Sequence, residues 1–257
     1  MCLAVFALNA HPDWPVILVA NRDEQHARPT MPLGIWPDRP ILGGRDLQAG
    51  GSWMGLGNNN RFALVTNHRN LRRPVPEQPR SRGNLVTDFI DSSLTAPDFC
   101  TRLEDARYAG FNLLMRDDHS WYSYSNVQQH CRPLQQGIYG LSNALLNTPW
   151  PKTLQARARL QQALARNQLN PEHLLHLLHE RRQADDGQLP DTGLTTERER
   201  LLSSCFIVSD TYGTRVSTLL MQHRSGRLLF MEESYDAAAH PCGRRRFLLD
   251  RPGLASG

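Results

Sequence analysis

The chain has 257 residues, a formal net charge of +4, 40% hydrophobic and 21% charged residues, a globular balance that excludes a disordered chain and allows one large core. Its five cysteines, Cys2, Cys100, Cys131, Cys205 and Cys242, are odd in number and widely spaced, which argues against a disulfide framework and for a reducing, cytoplasmic compartment. No apolar run reaches the roughly 18 residues of a membrane span, and nucleic-acid-binding motifs are absent.

The apolar start, MCLAVFAL, breaks at Asn9-Ala10-His11-Pro12-Asp13 and resumes at Val16. It lacks a basic leader, so a buried hairpin, Leu3–Leu8 with Val16–Asn21, describes it better than a targeting segment. Gly50–Gly57 reads as a strand bordered by glycine turns. Asn58–Asn60 makes a turn, and Arg61–Asn67 is the next strand. Ser81 suits a helix cap before Leu85, Phe89, Ile90 and Leu94, which recur at helical spacing. Asp98–Ala106 suits a short helix. Phe111–Met115 and Trp121–Ser125 form a second hairpin pattern, followed by a strand at Gly137–Ser142. Pro151 and Asn170-Pro171 open two helices, and the polar, glycine-containing stretch Gln183–Thr196 reads as an exposed loop. Ser204–Ser209, Thr214–Met221 and Arg227–Glu233 read as a closing antiparallel meander. The tail 241–257 is expected at the periphery, with Phe247-Leu248-Leu249 docking. There is no internal repeat. Strands at both ends with helices between them predict a single α+β domain over 1–257 rather than alternating βαβ units.

Two positions carry the chemistry. Loss of Met1 would leave Cys2 with both a thiol and a free α-amine. The amine titrates near pH 7.7–8.0, low enough to act as general base for its own thiol. Without that, Cys2 is simply a small apolar residue in a strand. Asn21-Arg22-Asp23-Glu24 follows the second apolar strand, and a hairpin brings its Arg22 and Asp23 towards Cys2. A guanidinium there lowers a thiol pKa, and a carboxylate orients the amine. The alternative is a self-paired surface turn. No HExxH-like spacing appears, so no metal site is expected.

Cysteine at position 2 with Asn-Arg-Asp-Glu some twenty residues later resembles the NRDE family, also named for transport and Golgi organisation. Gly50-Gly51-Ser52-Trp53, Thr66-Asn67, Ser81-Arg82-Gly83, Gly140-Leu141-Ser142-Asn143 and Gly213–Thr218 fit the same family in order. Ser52 stands where the family commonly has threonine. The family is similar in turn to the cysteine N-terminal-nucleophile (Ntn) hydrolases. That similarity implies an Ntn-hydrolase-like αββα four-layer sandwich, with Cys2 as nucleophile and Arg22 and Asp23 beside it. It also implies Asn67 as oxyanion donor, Asn143 as a second active-site amide and, more loosely, Arg215.

Two functions follow. As a hydrolase the protein would need no cofactor and would cleave or transfer an acyl group from an amide or thioester. As a carrier, the role proposed for the family, it would bind haem or an acyl-CoA in the same pocket. His68 at the pocket mouth and Arg72 and Arg73 in the basic loop are then candidate ligand contacts.

Overall fold

A computed structural model describes residues 2–118 and 120–250, without the side chains of Cys2 and Asn59. β1 (Cys2–Leu8) and β2 (Val16–Gln25) form the expected hairpin, with Cys2 opposite Arg22 and Leu8 opposite Val16. β3 (Thr30–Ile35) and β4 (Leu42–Asp46) follow, then the short β5 (Met54–Leu56) and β6 (Phe62–Asn67). β3 and β4 are not legible in the sequence. Pro32, Gly34, Gly43 and Gly44 weaken their strand pattern, and the strand read at Gly50–Gly57 shrinks to three residues.

Two helices, α1 (Gly83–Asp91) and α2 (Ala96–Thr101), come next. Thr95 caps α2 by accepting from the Asp98 N–H, one of the donors a helix start leaves unpaired. Ser81 lies just ahead of α1, where its Oγ accepts from Gly83 N. A three-strand meander follows, β7 (Phe111–Arg116), β8 (Trp121–Ser125) and β9 (His130–Leu134), and the chain then crosses to pair with β1 as β10 (Gly137–Leu141). Then come α3 (Pro151–Ala165), α4 (Pro171–Leu175) and α5 (Thr196–Leu201). The closing strands are β11 (Tyr212–Gln222), β12 (Leu228–Tyr235) and β13 (Pro241–Leu249).

Residues 204–209 do not form the strand their apolar run suggests. They make a strap whose Phe206 N–H bonds Glu180 O and whose Ile207 N–H bonds the Thr214 hydroxyl. The expected loop 183–196 is anchored where Thr192 and the α5 residue Glu199 are buried together and Arg69 reaches Glu199 at 2.6 Å. The stretch from Pro241 is an exposed edge strand rather than a loose tail. It pairs with β12 along its length, and Phe247 and Leu249 pack inward while Leu248 stays exposed. Residues 251–257 lie outside the described residues.

Among the described residues the strands make two antiparallel sheets. One runs β10-β1-β2-β11-β12-β13 and the other β3-β4-β5-β6-β7-β8-β9. Their facing sides share one core. Phe6, Leu18, Leu220 and Phe230 of the first sheet meet Leu42, Leu56, Phe62 and Leu114 of the second. The alternate residues of the first sheet, among them Leu3, Val5 and Val19, pack under α3 and α4. Ala63, Leu113 and Met115 of the second pack under α1 and α2. The result is an α+β sandwich of αββα layers. It explains why β1 reads as an unbroken apolar run, since both of its faces are buried. Among the described residues no helix is long and apolar enough to cross a membrane.

Candidate active site

The site is built where β2 leaves the core. Arg22 is buried, and its guanidinium lies 4.3 Å from the centre of the Trp53 ring, a cation–π contact across the two sheets. Its Nη1 donates to Thr30 Oγ1 at 3.2 Å. The backbone of Cys2 sits opposite Arg22 in the β1–β2 register. The Cys2 side chain and the α-amine expected of it lie outside the described residues, as does Met1.

Asp23 is fully buried. The Thr214 hydroxyl donates to its Oδ1 at 2.7 Å, and Thr214 is held in turn by the Ile207 N–H. Burial raises the Asp23 pKa. The Lys152 ammonium, the Thr214 bond and Arg22 all pull it back down. Lys152 is the chain's only lysine and is buried at the start of α3. Its role was missed in the sequence, where its uniqueness was the one available signal.

Asn67 ends β6 and Asn143 follows β10. Asn143 Nδ2 donates to Asn67 Oδ1 at 2.9 Å and to Asn67 O at 3.3 Å. Three further bonds tie the same strand ends together. Thr66 Oγ1 donates to Ser142 O, and Asn112 Nδ2 donates to Thr66 Oγ1 and to Ala144 O. Asn112 is the second residue of β7 and has no motif around it, so nothing in the sequence marks it.

Arg22, Asp23, Trp53 and Asn67 line one cleft of about 360 Å³, whose rim carries Arg80 and Arg82. Arg82 Nη1 donates to Gly110 O, and Arg80 lies over the Tyr108 ring. Gly51 and Gly83 permit the wall to close. A Cβ at Gly51 would stand 2.4 Å from the Gly83 carbonyl carbon. Ser52 Oγ is committed to the carbonyls of Gly44 and Met54, so it braces this wall.

The remaining candidates fall elsewhere. Arg215 is the extra residue of a bulge, since Thr214 faces Asp23 but Val216 faces Arg22. Its Nη1 donates to the carbonyls of Gln25, His26 and Arg28, so it braces the turn after β2 and does not line the cleft. Arg72 pairs with Asp191 in solvent, and Arg73 donates to Asn126 O. His68 is half-buried, with its backbone N–H on Gly110 O; burial and Arg73 lower the imidazole pKa. None of these three lines the cleft.

Residues 1–237 match the family described as Transport and Golgi organisation 2. The chain belongs to that family. Among its relatives, the Transport and Golgi organization protein 2 homolog of Homo sapiens is 31% identical over 258 residues, covering 91% of this chain and 93% of the relative. The Drosophila melanogaster Transport and Golgi organization protein 2 is 26% identical over 260 residues, covering 91% and 92%. Among solved structures, a mutant conjugated bile acid hydrolase from Clostridium perfringens is similar with a TM-score of 0.49 at 9% identity, over 100% of this chain and 94% of its own. A Caenorhabditis elegans ortholog of N-acylethanolamine-hydrolyzing acid amidase gives 0.46 at 11% identity, over 85% and 92%. In this member of the family the αββα layering rests on the strand register and packing described above.

Proposed function

We propose that the protein is an acyl hydrolase or acyltransferase that uses Cys2 as an N-terminal nucleophile. The supporting observation is the convergence of Arg22, Asp23 and Asn67 on one cleft beside the strand position of Cys2. In the chain that begins at Cys2, the thiol gives its proton to the α-amine and the sulfur attacks the carbonyl carbon of an amide or thioester. Asn67, oriented by Asn143, offers its Nδ2–H to the developing oxyanion. The protonated amine then hands its proton to the leaving amine or thiol as the carbon–heteroatom bond breaks. Water, deprotonated by the same amine, attacks the thioester on Cys2 and releases the acid.

Arg22 favours the thiolate by its charge, and Asp23 holds the α-amine. The apolar Trp53 wall and the Arg80 and Arg82 rim suit an acyl group carrying an anionic portion, such as an acyl-CoA. The four free cysteines at 100, 131, 205 and 242 suit a reducing compartment.

A panel of acyl amides and acyl thioesters assayed with the purified chain and with Cys2→Ser and Asn67→Ala tests this reading. Turnover should disappear in Cys2→Ser and fall by about 10²- to 10³-fold in Asn67→Ala. Turnover that persists undiminished in Cys2→Ser would refute the nucleophile. Tight binding of haemin or acyl-CoA without turnover would favour the carrier reading instead.

A further inference from the structure

A second group of reactive side chains lies away from the cleft, under the turn that follows α4. His176 and His179 stand one helical turn apart in sequence, with ring centres 4.4 Å apart. His176 Nε2 lies 2.7 Å from Glu233 Oε2. The Tyr235 hydroxyl lies 2.6 Å from His179 Nε2 and donates to Glu233 Oε2 at 2.9 Å. One ligand atom from each of His176, His179 and Glu233 falls within 4.8 Å of the others.

We propose that His176, His179 and Glu233 bind a divalent transition-metal ion of the zinc class. Two imidazoles and one carboxylate are a ligand set that zinc accepts with a fourth position left for water. Imidazole donors select against calcium and magnesium, which prefer oxygen. Tetrahedral ligand atoms about 2.0–2.1 Å from zinc stand about 3.3 Å from each other, so side-chain rotations of under about 1 Å close the set. Each neutral imidazole then carries its proton on Nδ1 and turns the Nε2 lone pair to the ion. The Tyr235 hydroxyl bonds His179 Nε2 and Glu233 Oε2, so it must swing off both atoms to admit the ion.

The surroundings suit a cation site. Arg244 Nε donates to Glu233 Oε1 at 3.1 Å and Nη1 to Glu172 at 2.6 Å. It thereby leaves Oε2 as the oxygen facing the imidazoles, and the two carboxylates offset the nearby Arg244 and Arg181 guanidiniums. Ser217 Oγ lies 3.2 Å from His179 Nε2 and donates to Asn21 Oδ1. Asn21 Nδ2 in turn holds the carbonyls of Leu178 and Cys205. An ion at His179 Nε2 would displace the Ser217 hydroxyl from that nitrogen, while Asn21 goes on holding the backbone at Leu178 beside the ring. His176 is 40% exposed, which gives the ion an entry path. Sequence spacing concealed the set, because its third member comes from β12, far along the chain.

The test is calorimetric titration of zinc into the full chain after dialysis against a chelator, with Co²⁺ absorption to report the ligands. A Cys2→Ser background removes a competing thiolate. One equivalent should bind, with the d–d bands of a four- or five-coordinate nitrogen and oxygen site. His176→Gln and His179→Gln should each weaken binding by at least about tenfold. His173→Gln, one turn away on an exposed position, should not change it. Tyr235→Phe should keep the stoichiometry. Absence of zinc uptake by the parent, or uptake indifferent to both substitutions at 176 and 179, overturns the proposal. His176 is exposed enough for its variant to fold, and a melting curve of each variant confirms that it has.

Discussion

Asp23 in the cleft and Lys152 behind it at the start of α3 are two buried groups of opposite sign that act on each other. Removing one member of such a pair costs up to about 3–5 kcal/mol, less where Arg22 and the Thr214 hydroxyl still support the carboxylate. Lys152→Met should therefore lower stability by that order in denaturant melts. The double variant Asp23→Asn with Lys152→Met should recover most of the loss, because both desolvated charges are gone. Additive losses in the cycle would show that the two do not act on each other. The residues around them were unequally legible. Arg22, Asp23, Asn67 and Asn143 stand at strand ends inside recognisable motifs, so the sequence could select them. Arg215 carries a similar motif, but one extra residue in β11 turns its side chain onto the turn after β2. A bulge of that kind leaves no mark in a pattern of alternation.

At the scale of elements, two glycine-bearing motifs that are some thirty residues apart in the chain prove to be one structure. Ser52 N donates to Gly83 O at 3.2 Å, and Gly51 abuts the Gly83 backbone. This contact sets the start of α1 against the approach to β5 and so forms a wall of the cleft. Gly51→Ala places a Cβ 2.6 Å from a backbone oxygen that cannot rotate aside. It should cost about 1–3 kcal/mol and raise KM through displacement of Ser81–Gly83. A variant with unchanged melting and unchanged KM would show that the wall is pliable. The hairpin, the central strands and the helices α1, α3 and α4 were readable because apolar periodicity marks buried faces. β3, β4 and β9 were not, since Pro32, Gly43, Gly44 and Pro133 interrupt that signal. The strap at 204–209 misled for the opposite reason: its apolar residues are buried, yet its N–H groups bond a loop carbonyl and a threonine side chain instead of a ladder.

For the whole molecule, Glu232 is the group that ties stability to pH. It lies almost wholly buried between the sheets, where Oε1 accepts from Leu33 N at 2.7 Å and joins β12 to β3. Burial pushes its carboxyl up to about 7 from the usual 4.5, against the pull of the Leu33 bond and Arg22. The folded state thus holds this proton more tightly than the unfolded chain does. Its contribution is complete below pH 4.5 and is lost as pH rises through 7, by about 3 kcal/mol in all. Glu232→Gln keeps an oxygen for Leu33 and should flatten that part of the stability–pH curve, making the variant the more stable of the two at pH 8. An unchanged curve would place the pH dependence in other groups.

The same layering that buries Glu232 holds the start of β1 beside Arg22, and on that placement the proposed chemistry depends. The most direct test is the intact mass of the purified chain after reaction with an activated acyl ester, run beside Cys2→Ser. The account predicts a chain lacking Met1 that gains one acyl group, and a Cys2→Ser chain that gains none. A retained Met1, or an adduct that forms equally without the Cys2 thiol, would contradict it.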